Sequence, residues 1–362
     1  MSQIIIFAIP IFITLTVVEY LYGVLTRRNT YRLNDTISSL SQGLLSQTIA
    51  ACTPLFQIGL YSMLYQHIPG WGHSNLWETW YGIALAVIIY DFCDYWLHRT
   101  SHECNFFWAA HVVHHQSQHF NFSTALRQES AYPIVGCMFF FPMAFLGIPP
   151  EIYGTAALVV LLYQFWIHTE HIGKLGWFDR IFASPSNHRV HHSINARYID
   201  KNYGAIFVIW DRLFGTFEPE SETCVYGTLV PLNSWNPVKA VSSVFSDMAK
   251  KIAHAGSWAD KARFIYKYPG WTPSHYLPTT GDTTAQINNR AKYDPSVSKN
   301  RAIAAVIFFM LASATTIILI WHEENMSWTN KFLTAVLVAG ILWMAGKMIS
   351  ARKIARSELL SI

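Results

Sequence analysis

Sixteen histidines stand in this chain of 362 residues, and eight of them crowd into three short boxes. H-R-T-S-H supplies His98 and His102, H-V-V-H-H supplies His111, His114 and His115, and H-R-V-H-H supplies His188, His191 and His192. W-I-H-T-E-H adds His168 and His171. On a helix, positions i, i+3 and i+4 lie on one face. Each H-x-x-H-H is therefore expected to point three imidazoles one way, and H-x-x-x-H two. At this histidine frequency one H-x-x-H-H arises by chance in roughly 3% of chains of this length, and two in fewer than about one in a thousand. Neutral imidazole is the commonest nitrogen ligand for iron, zinc, copper and nickel. The eight boxed histidines with His168 are too many for one tetrahedral zinc and suit two metals of higher coordination. His67, His254 and His275 stand alone and read as ordinary side chains.

Ligating histidines usually donate their other N–H to a carboxylate or a carbonyl. Asp94 lies four residues before His98 and Asp91 seven before it, on one helix face. Carboxylates inside an apolar segment are costly and functional by default. Asp94 is therefore assigned to His98, and Glu103, next to His102, is a further candidate for such a role. His171 and Asn187 are candidates for metal contact or for an outer layer of contacts around it. H-E is not followed by x-x-H, which excludes a zincin helix. Five cysteines without a C-x-x-C pair exclude a disulfide framework and a cysteine zinc site.

The elements that must carry these boxes are apolar. The chain is 52% hydrophobic, 15% aromatic and only 13% charged, where a soluble protein carries about 25% charged residues. A net charge of +4, without clustering, excludes a nucleic-acid binder driven by phosphate contacts. Spanning a bilayer takes roughly 20 apolar helical residues. Candidate spans are 4–25, 36–65 (kinked at Pro54), 77–97, 302–321 and 328–346, with a helical hairpin over 131–147 and 152–167. Arg27, Arg28 and Arg32 follow the first span and make that side cytoplasmic. Counting onward places every Lys and Arg except Lys331 there, including the tail's Lys347, Arg352, Lys353 and Arg356. The expected fold is all-α, a polytopic membrane helical bundle with its histidine boxes at the cytoplasmic face. Four regions follow: an N-terminal transmembrane region, 1–76; a catalytic domain, 77–230; a cytoplasmic surface segment, 231–300; and C-terminal transmembrane helices with a basic tail, 301–362.

At its boxes, and in the lead-in D-F-C-D-Y-W-L-H-R-T-S-H, the sequence resembles the fatty acid hydroxylase / sterol desaturase superfamily of integral-membrane di-iron oxygenases. Segments 121–128, 161–170, 188–192, 200–204 and 210–220 are most similar to its ether-lipid-cleaving subgroup, which uses tetrahydrobiopterin. The resemblance is strong over roughly 80–230 and weak over the C-terminal spans. It implies two non-heme irons held by the boxed histidines and His168, a lipid substrate, and hydroxylation of an alkyl carbon with O2. Hydroxylation beside an ether oxygen gives a hemiacetal that separates into a fatty aldehyde and a glycerol derivative. Two departures stand out: Asn187 occupies a position where histidine is expected, and His171 one where it is not. No heme-binding or nucleotide-binding motif is present, so electrons are expected from outside, from a pterin or a separate redox protein. Phe139, Phe140, Phe141 and Tyr163 are candidates to line the lipid chain. The alternatives are a sterol, carotenoid or fatty-acyl hydroxylase or desaturase with the same metal site, and a histidine-lined metal transporter. A transporter should bind near the bilayer midplane, whereas these boxes fall at one face.

Overall fold

Two consecutive helices, α14, Lys299–His322, and α15, Trp328–Ile349, pack against each other and against α2, Leu33–Cys52. Through Asn325 the first, and over its length the second, they are long and apolar enough to cross a membrane. The computed structural model describes residues 2–67, 74–274, 286–287 and 289–350. His275 and the tail's Arg352, Lys353 and Arg356 lie outside them. Among the described residues there is no strand, only two isolated bridges, Phe182 with Phe207 and Ser193 with Tyr226. The fold is all-helical.

The first helix, α1, Ser2–Leu25, is apolar, and its threonines turn their hydroxyls back on the carbonyls of the preceding turn. Its one charge, Glu19, is buried. That carboxylate accepts from the Tyr31 and Thr169 hydroxyls and from Phe122 N at 2.8 Å, tying α1 to the histidine-bearing region. The Ser- and Gln-rich stretch that follows explains itself in α2. Asp35, Ser38, Ser39, Gln42 and Thr48 form its buried face. Asp35 accepts from Ser117 Oγ, Gln42 donates to the Pro237 carbonyl at 3.1 Å, and the Thr48 and Thr316 hydroxyls meet at 3.1 Å. A helix with a polar face can thus sit among apolar neighbours, because its polar groups are paired.

Two expected helices are broken. The stretch 36–65 is not one kinked span. α2 ends at Cys52, a π-helical turn covers Leu55–Gly59, and α3 is only Leu60–Gln66. Pro54 lacks the N–H that would continue the ladder and its ring opposes the preceding turn, so the kink becomes a full interruption. The first arm of the hairpin, 131–147, likewise splits into α7, Tyr132–Gly136, a 3₁₀ turn, and α8, Phe141–Phe145. Pro133 and Pro142 each start a new short helix. The second arm is one helix, α9, Pro150–Trp166.

The helix α4, Trp80–Glu103, runs beyond its expected end at Leu97, so His98 and His102 ride on it. Thr79 caps it, accepting from Gly82 N at 3.1 Å. The Leu76 carbonyl lies 1.9 Å from where a Gly82 Cβ would stand, so only glycine fits there. After a break at Cys104 comes α5, Asn105–His115, then α6, Phe122–Ala125, closed by an Asn121 capping box. α10, Pro185–His191, begins at Ser184, and α11 is Ile209–Leu213. The surface segment contributes α12, Pro237–His254, and α13, Trp258–Tyr266. An aromatic core joins α3, α4, α8 and α9. In it Tyr61 stacks on Tyr153 at 4.2 Å and Tyr90 on Phe140 at 4.5 Å. It reaches the boxes at Tyr132, whose ring lies 5.0 Å from that of His111.

α15 meets the start of α12 without a gap. A Cβ on Gly346 would stand 2.6 Å from Asn236 Cα and from the Trp235 carbonyl. Both opposing atoms are backbone and cannot swing aside. Gly346→Ala is expected to lower stability by about 1–3 kcal/mol, read as a fall in the melting temperature of detergent-solubilised protein. An unchanged melting temperature would show that this contact is not a tight seam.

Candidate metal centre

Nine histidines assemble into two buried groups. His98, His102, His111, His115 and His191 form one, and His114, His168, His188 and His192 the other. Within each group the ring nitrogens lie within 4.8 Å of one another. Against the expectation from the spacing, neither H-x-x-H-H points all three rings at one place. His111 and His115 face the five-histidine group and His114 the four-histidine group, while His188 and His192 face the latter and His191 the former. The helical turn supplies the reason. Positions i and i+4 lie about 40° apart around the axis, whereas i+3 and i+4 are separated by about 100°. Each box therefore divides two to one, and α5 and α10 each serve both groups.

Inward-facing nitrogens come very close. His98 Nε2 and His115 Nε2 each lie 3.1 Å from His111 Nε2. In the other group His168 Nε2 is 3.1 Å from His114 Nε2, and His188 Nε2 is 2.9 Å from His168 Nε2 and 3.1 Å from His192 Nε2. One N–H cannot satisfy so many facing nitrogens. His102 Nε2 and His191 Nε2 are buried with no hydrogen-bond partner at all. An octahedral ion about 2.1 Å from each nitrogen spaces adjacent ligands about 3.0 Å apart, and a tetrahedral ion about 3.4 Å apart. Nitrogens this close, with two left unpaired, fit a shared cation in each group. Burial, and then neighbouring imidazoles, push His111, His115, His188, His191 and His192 well below the ordinary imidazole range. Burial holds His114 at about 3. Each is thereby kept neutral, the form in which imidazole binds metal.

The outward nitrogens are fixed mostly by backbone. His98 Nδ1 meets the Tyr203 carbonyl at 2.8 Å, His114 Nδ1 that of Arg127 at 3.1 Å, and His168 Nδ1 that of Gln164 at 2.7 Å. His191 Nδ1 meets the Lys201 carbonyl at 3.0 Å. The segment D-K-N-Y-G presents two of these carbonyls. Asp200 and Asn202 take the left-handed conformation (φ 58° and 57°) that Asp and Asn tolerate best after glycine. Asp211 clamps the same loop, accepting from Tyr203 N at 2.7 Å, Gly204 N at 2.9 Å and Thr216 Oγ1 at 2.7 Å.

The outer candidates fall elsewhere. Asp94 is not the partner of His98, because the Tyr203 carbonyl takes that nitrogen. Asp91, fully buried, instead accepts from Ile206 N at 2.7 Å, Phe207 N at 3.1 Å and Trp210 Nε1 at 2.8 Å. Glu103 is exposed and pairs with Arg99 at 2.9 Å. Asn187 donates to the Asp179 and Phe182 carbonyls and does not join either group. His171 lies against the Tyr22 ring, also outside both. Reading by spacing missed Arg127 and Glu129. Arg127 is buried and donates to the Val113 carbonyl at 2.6 Å and to Ser38 Oγ at 3.1 Å. Glu129 lies 2.7 Å from His111 Nδ1. The R-Q-E tripeptide stood at the edge of a segment singled out for resemblance, but nothing in its spacing to His111 marks a contact.

A helical protein with nine buried imidazoles at two adjacent foci is a histidine-box metalloprotein. A family model described as fatty acid hydroxylase matches residues 83–216, the stretch that holds every box. The chain is 36% identical to the alkylglycerol monooxygenase of Homo sapiens over 344 residues, 93% of this chain and 74% of that protein. It is 36% identical to that of Danio rerio over 341 residues, 92% of this chain and 75% of the relative. An ornithine lipid hydroxylase of Rhizobium tropici is 30% identical over 157 residues, 40% of this chain and 45% of that one. The chain belongs to the fatty acid hydroxylase family of iron-dependent lipid oxidoreductases and groups with its alkylglycerol monooxygenases. No solved structure matches it.

Proposed function

We propose that the chain is a multi-pass membrane monooxygenase that cleaves the ether bond of alkylglycerols, with reducing equivalents from tetrahydrobiopterin. The observation that carries this reading is the pair of histidine groups sharing α5 and α10. The nine histidines would hold two non-heme irons, one in each group. Catalysis resides in 77–230, between transmembrane regions at 1–76 and 301–362, with 231–300 as a cytoplasmic surface segment. Basic residues keep the boxes on the cytoplasmic side.

Iron held there supplies the activation of O2 that places a hydroxyl on the carbon beside the ether oxygen. The chain does the rest. Carbonyls behind His98, His114, His168 and His191 fix ring orientation before substrate arrives. Phe120, wholly buried, stacks on Tyr226 at 5.0 Å and lies over His168 and His192, closing that side to water. The core around Tyr132, Phe139 and Phe140 sets apolar side chains beside His111, the side from which an alkyl chain would approach. The hemiacetal product needs no further oxidation to separate into aldehyde and glycerol derivative.

Two electron donors crossed with two substrate classes test the reading. Reduced pterin with an alkylglycerol and O2 is expected to release a fatty aldehyde. The opposing arm pairs a ferredoxin or cytochrome donor with a sterol or fatty acid. Turnover confined to that arm would overturn the ether-lipid assignment and leave the metal site standing.

A further inference from the structure

The two histidine groups are held by different chemistry on their outer side. In the four-histidine group, the outward Nδ1 contacts of His114 and His168 end on neutral backbone carbonyls. In the five-histidine group, His98 and His191 also end on carbonyls, but His111 does not. Its Nδ1 lies 2.7 Å from Glu129 Oε1, off the straight line of the N–H bond. Among the described residues no other carboxylate comes so close to a clustered histidine. Asp200 is next, 3.6 Å from His102 Nδ1 and half-exposed.

Glu129 is set in place with some care. Its side chain is 11% exposed, and among the described residues no lysine or arginine pairs with it. Ser46 Oγ of α2 donates to its backbone carbonyl at 3.1 Å. Two residues earlier, Arg127 is locked between the Val113 carbonyl and Ser38, and its own carbonyl orients His114. One short loop therefore touches both groups, with a neutral carbonyl on one and a carboxylate on the other. A buried carboxylate needs compensating positive charge, and across the His111 ring lies the focus of five imidazoles. A carboxylate behind an imidazole raises the basicity of the nitrogen facing the metal.

We infer that Glu129 is a positioning residue that orients His111 and makes the five-histidine centre electronically distinct from its neighbour. This rests on the di-iron reading. The full chain, purified in detergent with ⁵⁷Fe, tests it as wild type, Glu129→Gln and Glu129→Ala. Iron per chain is measured against a competing chelator, and the ferrous centres by Mössbauer spectroscopy. Glu129→Ala is expected to weaken one of two irons about 10–100-fold, leave the other unchanged, and shift one ferrous doublet. Glu129→Gln keeps the size and an acceptor oxygen but not the charge. It is expected to shift the same doublet with a smaller loss of affinity. Both irons unchanged in affinity and spectrum would overturn the inference. So would equal loss of both irons in both variants, which would make the loop a structural prop. Wild-type protein that takes up fewer than two irons refutes the di-iron reading, and the role of Glu129 with it, before any variant is compared.

Discussion

Replacing His114, His115, His191 or His192 by alanine, one at a time, is expected to abolish turnover, by about 100-fold or more. The folded chain should persist. His114 and His192 belong to the four-histidine group and His115 and His191 to the five-histidine group, so each loss opens one coordination position. Iron content separates the two classes, since each variant should lose metal first from its own group. His254→Ala is the control. That ring is exposed and bonds only to the Lys250 carbonyl of its own helix, and full activity is expected. Full activity in any of the four would remove that residue from the ligand set.

Asp91→Ala is expected to cost about 3–5 kcal/mol, because it strands three donors, the buried Ile206 N and the half-buried Phe207 N and Trp210 indole. The fall in melting temperature in detergent reads it directly. The segment these donors belong to continues from Tyr203, whose carbonyl holds His98, so the loosening reaches the metal centre. Asp91→Asn keeps one acceptor oxygen and is expected to be milder, with activity per bound iron near wild type. Activity lost in Asp91→Asn at an unchanged melting temperature would instead make Asp91 a participant in the chemistry.

What could be read from the residues alone follows from what their spacing encodes. The boxes are local helical patterns, so they were legible, as was the membership of His168 next to them. How each box divides between two groups was not legible, because sharing a face does not say which of two neighbouring foci a ring meets. The partners of Nδ1 were hidden for another reason. Four are backbone carbonyls, which any residue supplies, and the fifth, Glu129, reaches His111 through a turn whose path only the fold sets. Asp94 illustrates the trap: i and i+4 on one helix are neighbours, but His98 turns its nitrogen to a loop a hundred residues downstream. Pro54 was visible as an interruption, whereas Pro133 and Pro142 lay unremarked inside an arm read as one helix. That α2 stops before Pro54 and that Pro133 and Pro142 each open a short helix follow from the missing N–H and the ring's clash with the preceding turn.

The buried polar face of α2 bears on how the chain comes to be assembled. Asp35, its serines, Gln42 and Thr48 find their partners in Ser117, Arg127, Glu129, Pro237 and Thr316, and in the packing of α14 and α15. Those two helices lie far downstream of α2. During synthesis α2 emerges about 300 residues before its cover is complete, and a ribosome adds roughly 5–20 residues per second. For that interval a helix without a single Lys or Arg, yet lined with hydroxyls and amides, has no settled neighbour. The early part of the protein must wait for the late part, and the histidine loop anchored on α2 waits with it.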